Sequence, residues 1–349
     1  MLENLISDLL AKDCKRKKYI LGTNVYARHL AKNIYFDAFV DDVISEPVYD
    51  GFPVINSILI PEGSIIVSTV NNSRAAETIQ GLRDLGYDVI DNALLADIRP
   101  DLALQIIEIT QSREVIKSNG GYYNRVKNLF HEERSKQIFD SVFNYRVLGD
   151  VSALNEFSYS MTANQYFEDF LCLNDGEVFV DGGGYDGQTT LTFTESCNYS
   201  KVLYFEPTLK MYAHSQERLK NLRDVIFIQK GLYKEKAVMY IDSNLGPAAR
   251  MSDDKTSINQ ETIEVVSLDD FITEPISFIK LDIEGFELEA LLGMKRQIMI
   301  NKPKLAISVY HDFEHFLAVP QLIKSFRNDY KIYLRHYTSG WAETIMFFV

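Results

Sequence analysis

Glu177-Val178-Phe179-Val180-Asp181-Gly182-Gly183-Gly184-Tyr185-Asp186-Gly187 runs from a short apolar stretch through an aspartate into a glycine-dense turn. The apolar run predicts a buried strand. The glycines predict a loop that lets backbone approach a ligand, since a residue without Cβ reaches positive φ and permits close contact. Gly182, Gly184 and Gly187 satisfy G-x-G-x-x-G, the spacing of a dinucleotide turn. Asp181 speaks against that ligand, because a carboxylate repels a pyrophosphate seated on helix N–H groups. A ligand that presents a sulfonium and an ammonium suits Asp181 and Asp186 better. A nicotinamide cofactor, a sugar nucleotide and S-adenosyl-L-methionine all use such turns, and all three remain open at this point.

Three further strand ends carry chemistry. Glu206, in Tyr204-Phe205-Glu206-Pro207, ends the next predicted strand. A carboxylate there accepts hydrogen bonds from both ribose hydroxyls, which serves NAD and S-adenosyl-L-methionine equally, and Pro207 keeps Glu206 extended. In Phe278-Ile279-Lys280-Leu281-Asp282-Ile283-Glu284-Gly285-Phe286-Glu287, charged and apolar residues alternate, so Lys280, Asp282 and Glu284 are expected on one face. Ionisable groups there are costly unless paired or used. Tyr310-His311-Asp312 follows a strand predicted at 305–309, which puts His311 at the same crevice as a general base or a positioning histidine. His311-Asp312-Phe313-Glu314-His315 also fits H-x-x-E-H. Its first histidine falls at a strand end and not inside a helix, so no metal is assigned.

Around these motifs the chain organises into three parts. Residues 1–97 read as a small Rossmann-like α/β domain with strands at 18–21, 36–40, 65–70 and 89–90. Helices are expected at 25–34 and 73–85, the second with Ser73 as N-cap and Gly86 just past its end. Gly22-Thr23-Asn24, one strand–helix step before Asp41-Asp42, reads as a second, weaker nucleotide turn or as a structural one. Residues 98–172 form an aromatic-rich helical connector with helices over 102–109 and 123–145. Residues 173–349 carry strands at 178–180, 202–205, 226–229, 238–241, 262–266, 278–281, 305–309, 332–334 and 344–348. The pair at 238–241 and 262–266 looks like an antiparallel addition. The last two strands are joined too closely for a helical crossover, so they should pair antiparallel.

Composition narrows the function. A net charge of −13 over 349 residues argues against nucleic acid as a partner. The basic run Lys15-Arg16-Lys17-Lys18 reads as an exposed helix end. Cys14, Cys172 and Cys197 are sparse and lack metal spacing, which fits a reducing cytoplasm. Residues 1–10 carry Glu3 and Asp8 with too short an apolar core for a secretion signal. No run approaches the ~18 apolar residues of a membrane span.

The C-terminal half resembles the FkbM-type S-adenosylmethionine-dependent methyltransferases. The resemblance rests on 179–187, on Phe205-Glu206-Pro207, on 278–287 and on Tyr330-Lys331-Ile332-Tyr333-Leu334-Arg335-His336-Tyr337. It implies a seven-stranded, mostly parallel sheet with an antiparallel last strand, S-adenosyl-L-methionine as cofactor, and O-methyl transfer. Asp181, Gly182, Gly184 and Glu206 match cofactor-binding positions, and Gly183 and Asp186 of the same turn complete the expected set. The 280–284 region matches the signature beside the reacting methyl, so Lys280, Asp282 and Glu284 join His311 as catalytic candidates. Gln229-Lys230-Gly231-Leu232 departs from the pattern, offering no acidic residue to the adenine. The first domain is similar to the small Rossmann-type domain before some sugar-nucleotide acyltransferases, on Tyr19-Ile20-Leu21-Gly22, Phe39-Val40-Asp41-Asp42 and Gly51-Phe52-Pro53-Val54-Ile55. That likeness implies a sugar-nucleotide ligand for the first domain and a small-molecule or glycan hydroxyl as acceptor. Three alternatives stand beside this reading: an NAD-dependent oxidoreductase, a non-catalytic sugar-nucleotide-binding protein that keeps the fold, and a metal-assisted methyltransferase.

Overall fold

The computed structural model describes residues 2–241, 251–252 and 260–349. The chain divides into two compact units, each assembled from separated segments. The first comprises Met1–Ser118, Phe139–Thr162 and His336–Glu343; the second comprises Asn119–Ile138, Ala163–Arg335 and Thr344–Val349.

The first unit is built on a six-stranded sheet of β1 (Lys18–Leu21), β2 (Ala38–Val40), β3 (Val48–Tyr49), β4 (Phe52–Ile55), β5 (Ile65–Ser68) and β6 (Asp88–Asp91), in the order β3-β4-β2-β1-β5-β6. All neighbours run parallel except the hairpin β3–β4. Ile20, Phe39, Val67 and Ile90 of the sheet bury against Ile6 and Leu9 of the helix Leu2–Leu10 and Leu30 of the helix Val25–Asn33. The β3–β4 hairpin is absent from the sequence expectations, although Asp50 and Gly51, both at positive φ, form the Asp-Gly turn that favours it.

The helix Ala75–Asp84 differs from expectation at its start. Ser73 does not cap it; Arg74 holds that position and makes no side-chain cap. The first N–H groups are satisfied from far along the chain, Ala76 N–H donating to the Ser339 carbonyl (2.8 Å) and Glu77 N–H to Ser339 Oγ (3.2 Å). The weaker turn is closed on itself: Thr23 Oγ1 donates to Asp41 (2.9 Å), Asn24 accepts from Tyr26 and Ala27 N–H, and Asp42 accepts from Ser57. The basic run is likewise paired internally, Arg16 with Asp88 and Lys17 with Asp37.

The connector helices differ from expectation in their bounds. The helix expected at 102–109 begins instead at Ile107 and runs to Ser118, because Arg99 and Asp101 clamp the preceding turn. The continuous helix expected at 123–145 is broken into Tyr122–Lys127 and Glu133–Phe143. Between them Phe130 is buried, and His131 N–H donates to the Ile332 carbonyl (2.8 Å). Tertiary pairing overrides helical propensity there.

In the second unit, β7 (Glu177–Gly182), β8 (Tyr199–Phe205), β9 (Val225–Ile228), β14 (Phe278–Leu281), β15 (Lys304–Ser308), β16 (Ile332–His336) and β17 (Thr344–Phe348) form a seven-stranded sheet ordered β16-β17-β15-β14-β7-β8-β9. Strands β9, β8, β7, β14 and β15 are parallel, and β17 runs antiparallel to β15. Lys331 and Val349 exchange N–H···O bonds, so the closing pair is antiparallel too. This is the sheet that the sequence predicts. A smaller sheet joins β10 (Gly231–Leu232), β11 (Ala237–Ile241), β12 (Met251–Ser252) and β13 (Glu261–Val266), with β11 and β13 antiparallel as expected. Under the main sheet, Phe179, Phe193 and Phe278 are fully buried and stacked, Phe179 lying 4.2 Å from Phe193 and 5.0 Å from Phe278. Among the described residues, no helix is long and apolar enough to cross a membrane.

Candidate active site

Parallel strands share one C-terminal edge, and in an open α/β sheet that edge forms the ligand crevice. The ends of β7, β8, β14 and β15 bring the sequence-predicted residues to it.

At the end of β7, Asp181 is fully buried. It accepts from Thr190 Oγ1 (2.8 Å) and lies 3.1 Å from Lys280 Nζ, its register neighbour on β14. Lys280 also donates to the carbonyls of Gly182 (3.2 Å) and Gly183 (2.7 Å). This buried pair therefore clamps the glycine turn from below. Gly183 has φ +76°, and a Cβ there would fall on the Asp282 carbonyl oxygen, so the turn is pressed directly onto the end of β14. Asp186, farther along, is ion-paired with Arg218 and accepts from Gln188 N–H.

Glu206 at the end of β8 is 5% exposed. Its Oε1 accepts from Thr208 N–H (2.8 Å) and Oγ1 (2.6 Å), and its Oε2 accepts from Tyr185 N–H (3.0 Å). Burial raises its pKa above the usual carboxylate value, and these donors offset part of the rise.

Asp282, Glu284 and His311 gather into one cluster, with a ligand-type atom of each within 4.8 Å of the others. His311 Nε2 lies 3.5 Å from Asp282 Oδ1 and 3.3 Å from Glu284 Oε2. On the opposite side of the ring, Nδ1 lies 3.2 Å from Glu287 Oε1. Glu287 is fully buried; its Oε1 accepts from Ile283 N–H (3.0 Å) and Gly285 N–H (3.3 Å), and its Oε2 lies 3.4 Å from His315 Nδ1. Asp282 in turn accepts from Tyr166 OH (2.6 Å) and Tyr310 OH (3.3 Å).

The expected alternation of Lys280, Asp282 and Glu284 on one face does not extend past Leu281. The strand ends there, and Glu284 sits at φ +59°, in the left-handed region. A non-glycine residue held in that region costs energy and often marks a working site. Lys280 thus belongs to the glycine-turn clamp, and Asp282 and Glu284 belong with His311.

Charge sets the protonation states. Burial alone would lower the His311 pKa, but Glu287, Glu284 and Asp282 outweigh it and hold the imidazole well above its usual range. Burial likewise works against an ionised Glu287, yet His311 and His315 keep its pKa below the normal carboxylate range. Glu284 is raised, chiefly by burial. With these neighbours alone, His311 carries a proton at neutral pH and donates rather than accepts. The carboxylates are then the proton acceptors of the cluster.

Thr190 and Thr208 are not marked by the sequence reading; Tyr166 falls only among the connector's aromatics, His315 only in the discounted H-x-x-E-H pattern, and Glu287 carries no role there. Thr190 lies on the helix just after the glycine turn, and Glu287 opens the helix that follows Gly285, so both stand next to motifs the sequence marks. Tyr166 reaches Asp282 across more than a hundred residues of chain, and no local pattern marks it.

Residues 181–332 match the family model of the methyltransferase FkbM domain. No curated protein matches the chain. Among solved structures, a methyltransferase FkbM from Methylobacillus flagellatus KT superposes with a TM-score of 0.73 at 22% identity, covering 100% of this chain and 93% of that one. An rRNA methylase from Streptococcus thermophilus superposes with a TM-score of 0.34 at 18% identity, over 52% of this chain and 90% of that one. The segment 181–332 is thus similar to the FkbM methyltransferase domain, and the chain shares its fold with the Methylobacillus protein.

Proposed function

We propose that this chain is an S-adenosyl-L-methionine-dependent methyltransferase that acts on a hydroxyl of a small molecule or glycan. The observation that carries the reading is the meeting of the Glu206-anchored glycine turn with the Asp282–Glu284–His311 cluster at one sheet edge, inside the segment matched by the methyltransferase family model. The sugar character of the acceptor rests on the first unit's likeness to domains that precede sugar-nucleotide acyltransferases, and a sugar-nucleotide ligand for that unit is part of the same proposal.

The donor set fits the cofactor. Glu206 Oε2 accepts a single N–H, so one of its lone pairs remains to take a ribose hydroxyl. Gly182, Gly183 and Gly184 let the turn pack directly against Leu281, the Asp282 carbonyl and Tyr204, where a Cβ would clash, and Asp181 and Lys280 fix it in place. When bound, the cofactor supplies a methyl carbon activated by its sulfonium, already a good leaving group. The chain's contribution is therefore mainly positioning. Asp282 or Glu284 takes the acceptor proton as the oxygen attacks, and the His311 imidazolium holds both carboxylates in place.

Calorimetric titration with S-adenosylhomocysteine tests this directly. The wild type is expected to bind, and Glu206→Ala to lose at least about tenfold in affinity, the cost of one charged hydrogen bond of about 1.5 kcal/mol. Absence of binding, or binding unchanged in Glu206→Ala, would overturn the proposal.

A further inference from the structure

The cluster beside the glycine turn holds more negative charge than its own cations balance. Asp282, Glu284 and Glu287 place three carboxylates around one imidazole. His311 and His315 both face Glu287, Lys280 faces Asp181 instead, and Asp282 and Glu284 share only the Nε2 side of His311.

The geometry points to a divalent-cation site formed by Asp282 Oδ1, Glu284 Oε2 and His311 Nε2. A small divalent ion about 2.1 Å from each ligand sets neighbouring ligand atoms about 3.0 Å apart. The two distances from His311 Nε2, 3.5 Å and 3.3 Å, need only small adjustment to reach that spacing. The outer groups have the matching form. A ligating histidine turns its second nitrogen to a carboxylate, and ligating carboxylates are themselves hydrogen-bonded. Here His311 Nδ1 faces buried Glu287, and Asp282 accepts from Tyr166 and Tyr310. Glu284 is brought to the ligand set only by its left-handed backbone.

A mixed set of two carboxylates and one imidazole suits Mn²⁺ or a similar hard-to-borderline ion and leaves coordination positions open. Those positions take an acceptor that presents oxygen atoms, a hydroxyl with a neighbouring hydroxyl or carbonyl. With the ion bound, Asp282 and Glu284 serve as its ligands in place of the base role proposed for them; the ion lowers the pKa of the bound hydroxyl, whose proton passes to water. The cation displaces the proton on His311 Nε2, so binding strengthens as pH rises.

This inference deepens the methyltransferase reading and rests on it for the acceptor, although the ion site can be measured alone. The full chain is titrated with Mn²⁺ at mildly alkaline pH and followed by electron paramagnetic resonance. One bound ion per chain is expected, with coupling to a single imidazole nitrogen. Asp282→Asn, Glu284→Gln and His311→Gln should each weaken binding about tenfold or more. The wild-type nitrogen coupling needs no variant, so misfolding of a variant does not blunt the test. No binding up to about millimolar Mn²⁺, no nitrogen coupling, or equal binding by folded variants would overturn the site. S-adenosylhomocysteine binding without Mn²⁺ binding refutes the ion site alone. Mn²⁺ binding without S-adenosylhomocysteine binding refutes the methyltransferase reading and leaves the site standing.

Discussion

Glu287 shows how one buried carboxylate governs its surroundings. Its pKa is depressed on folding, so its contribution to stability is full above its unfolded value of about 4.3 and is lost as pH falls below it. His311 is shifted the other way. Its contribution is full below about 6.5 and is lost as pH rises toward its folded value. The pair therefore stabilises most between these limits. Glu287→Gln should cost about 1–3 kcal/mol in that window, because it removes the charged partner of His311 Nδ1 and His315 while Asp282 and Glu284 still face the imidazole. Denaturant midpoints measured across pH would then flatten on both sides; an unaltered profile would show that the pair does not couple to folding. At this scale sequence is a partial guide. Asp282, Glu284 and His311 were legible because each follows an apolar strand. The commitment of Asp181 to Lys280 was hidden, because it depends on the register of β7 against β14, two strands distant in sequence.

The elements of the parallel sheet were the easiest to read. Strand β14 matches its predicted range residue for residue, since Phe278, Ile279 and Leu281 make it apolar on both buried faces despite Lys280. Elements whose ends are set by distant partners were harder. The segment around His131 gives up its helix for a bond to the edge strand β16. The helix Ala75–Asp84 takes its cap from Ser339, not from the nearby Ser73. Ser339→Ala should remove the bond to Glu77 N–H and destabilise the first unit by about 1 kcal/mol, the usual value of a helix cap. Hydrogen exchange at Glu77 should rise in that variant; unchanged protection would mean that the Ser339 carbonyl alone secures the turn.

Across the whole molecule, the two units are interleaved along the chain, which passes from one to the other after residues 118, 138, 162, 335 and 343. Residues 173–349 carry the main sheet, yet Asn119–Ile138 also belongs to its unit, as does Tyr166, which holds Asp282. A fragment spanning 173–349 is therefore expected to melt below the full chain and to bind S-adenosylhomocysteine more weakly. Circular dichroism and calorimetry would check this, and a fragment as stable as the full chain would show that those segments are dispensable.

The hairpin between β16 and β17 carries a wider consequence. At its tip, a Cβ on Gly340 would strike the Asn72 carbonyl, so the tip fits its seat only as it is. A crossover with a cousin gene at any single point from 120 to 342 would build both units from residues of two parents. Neither unit can therefore be traded whole in one such step, and a change at the seat near Asn72 is met by residues near the far end of the same reading frame.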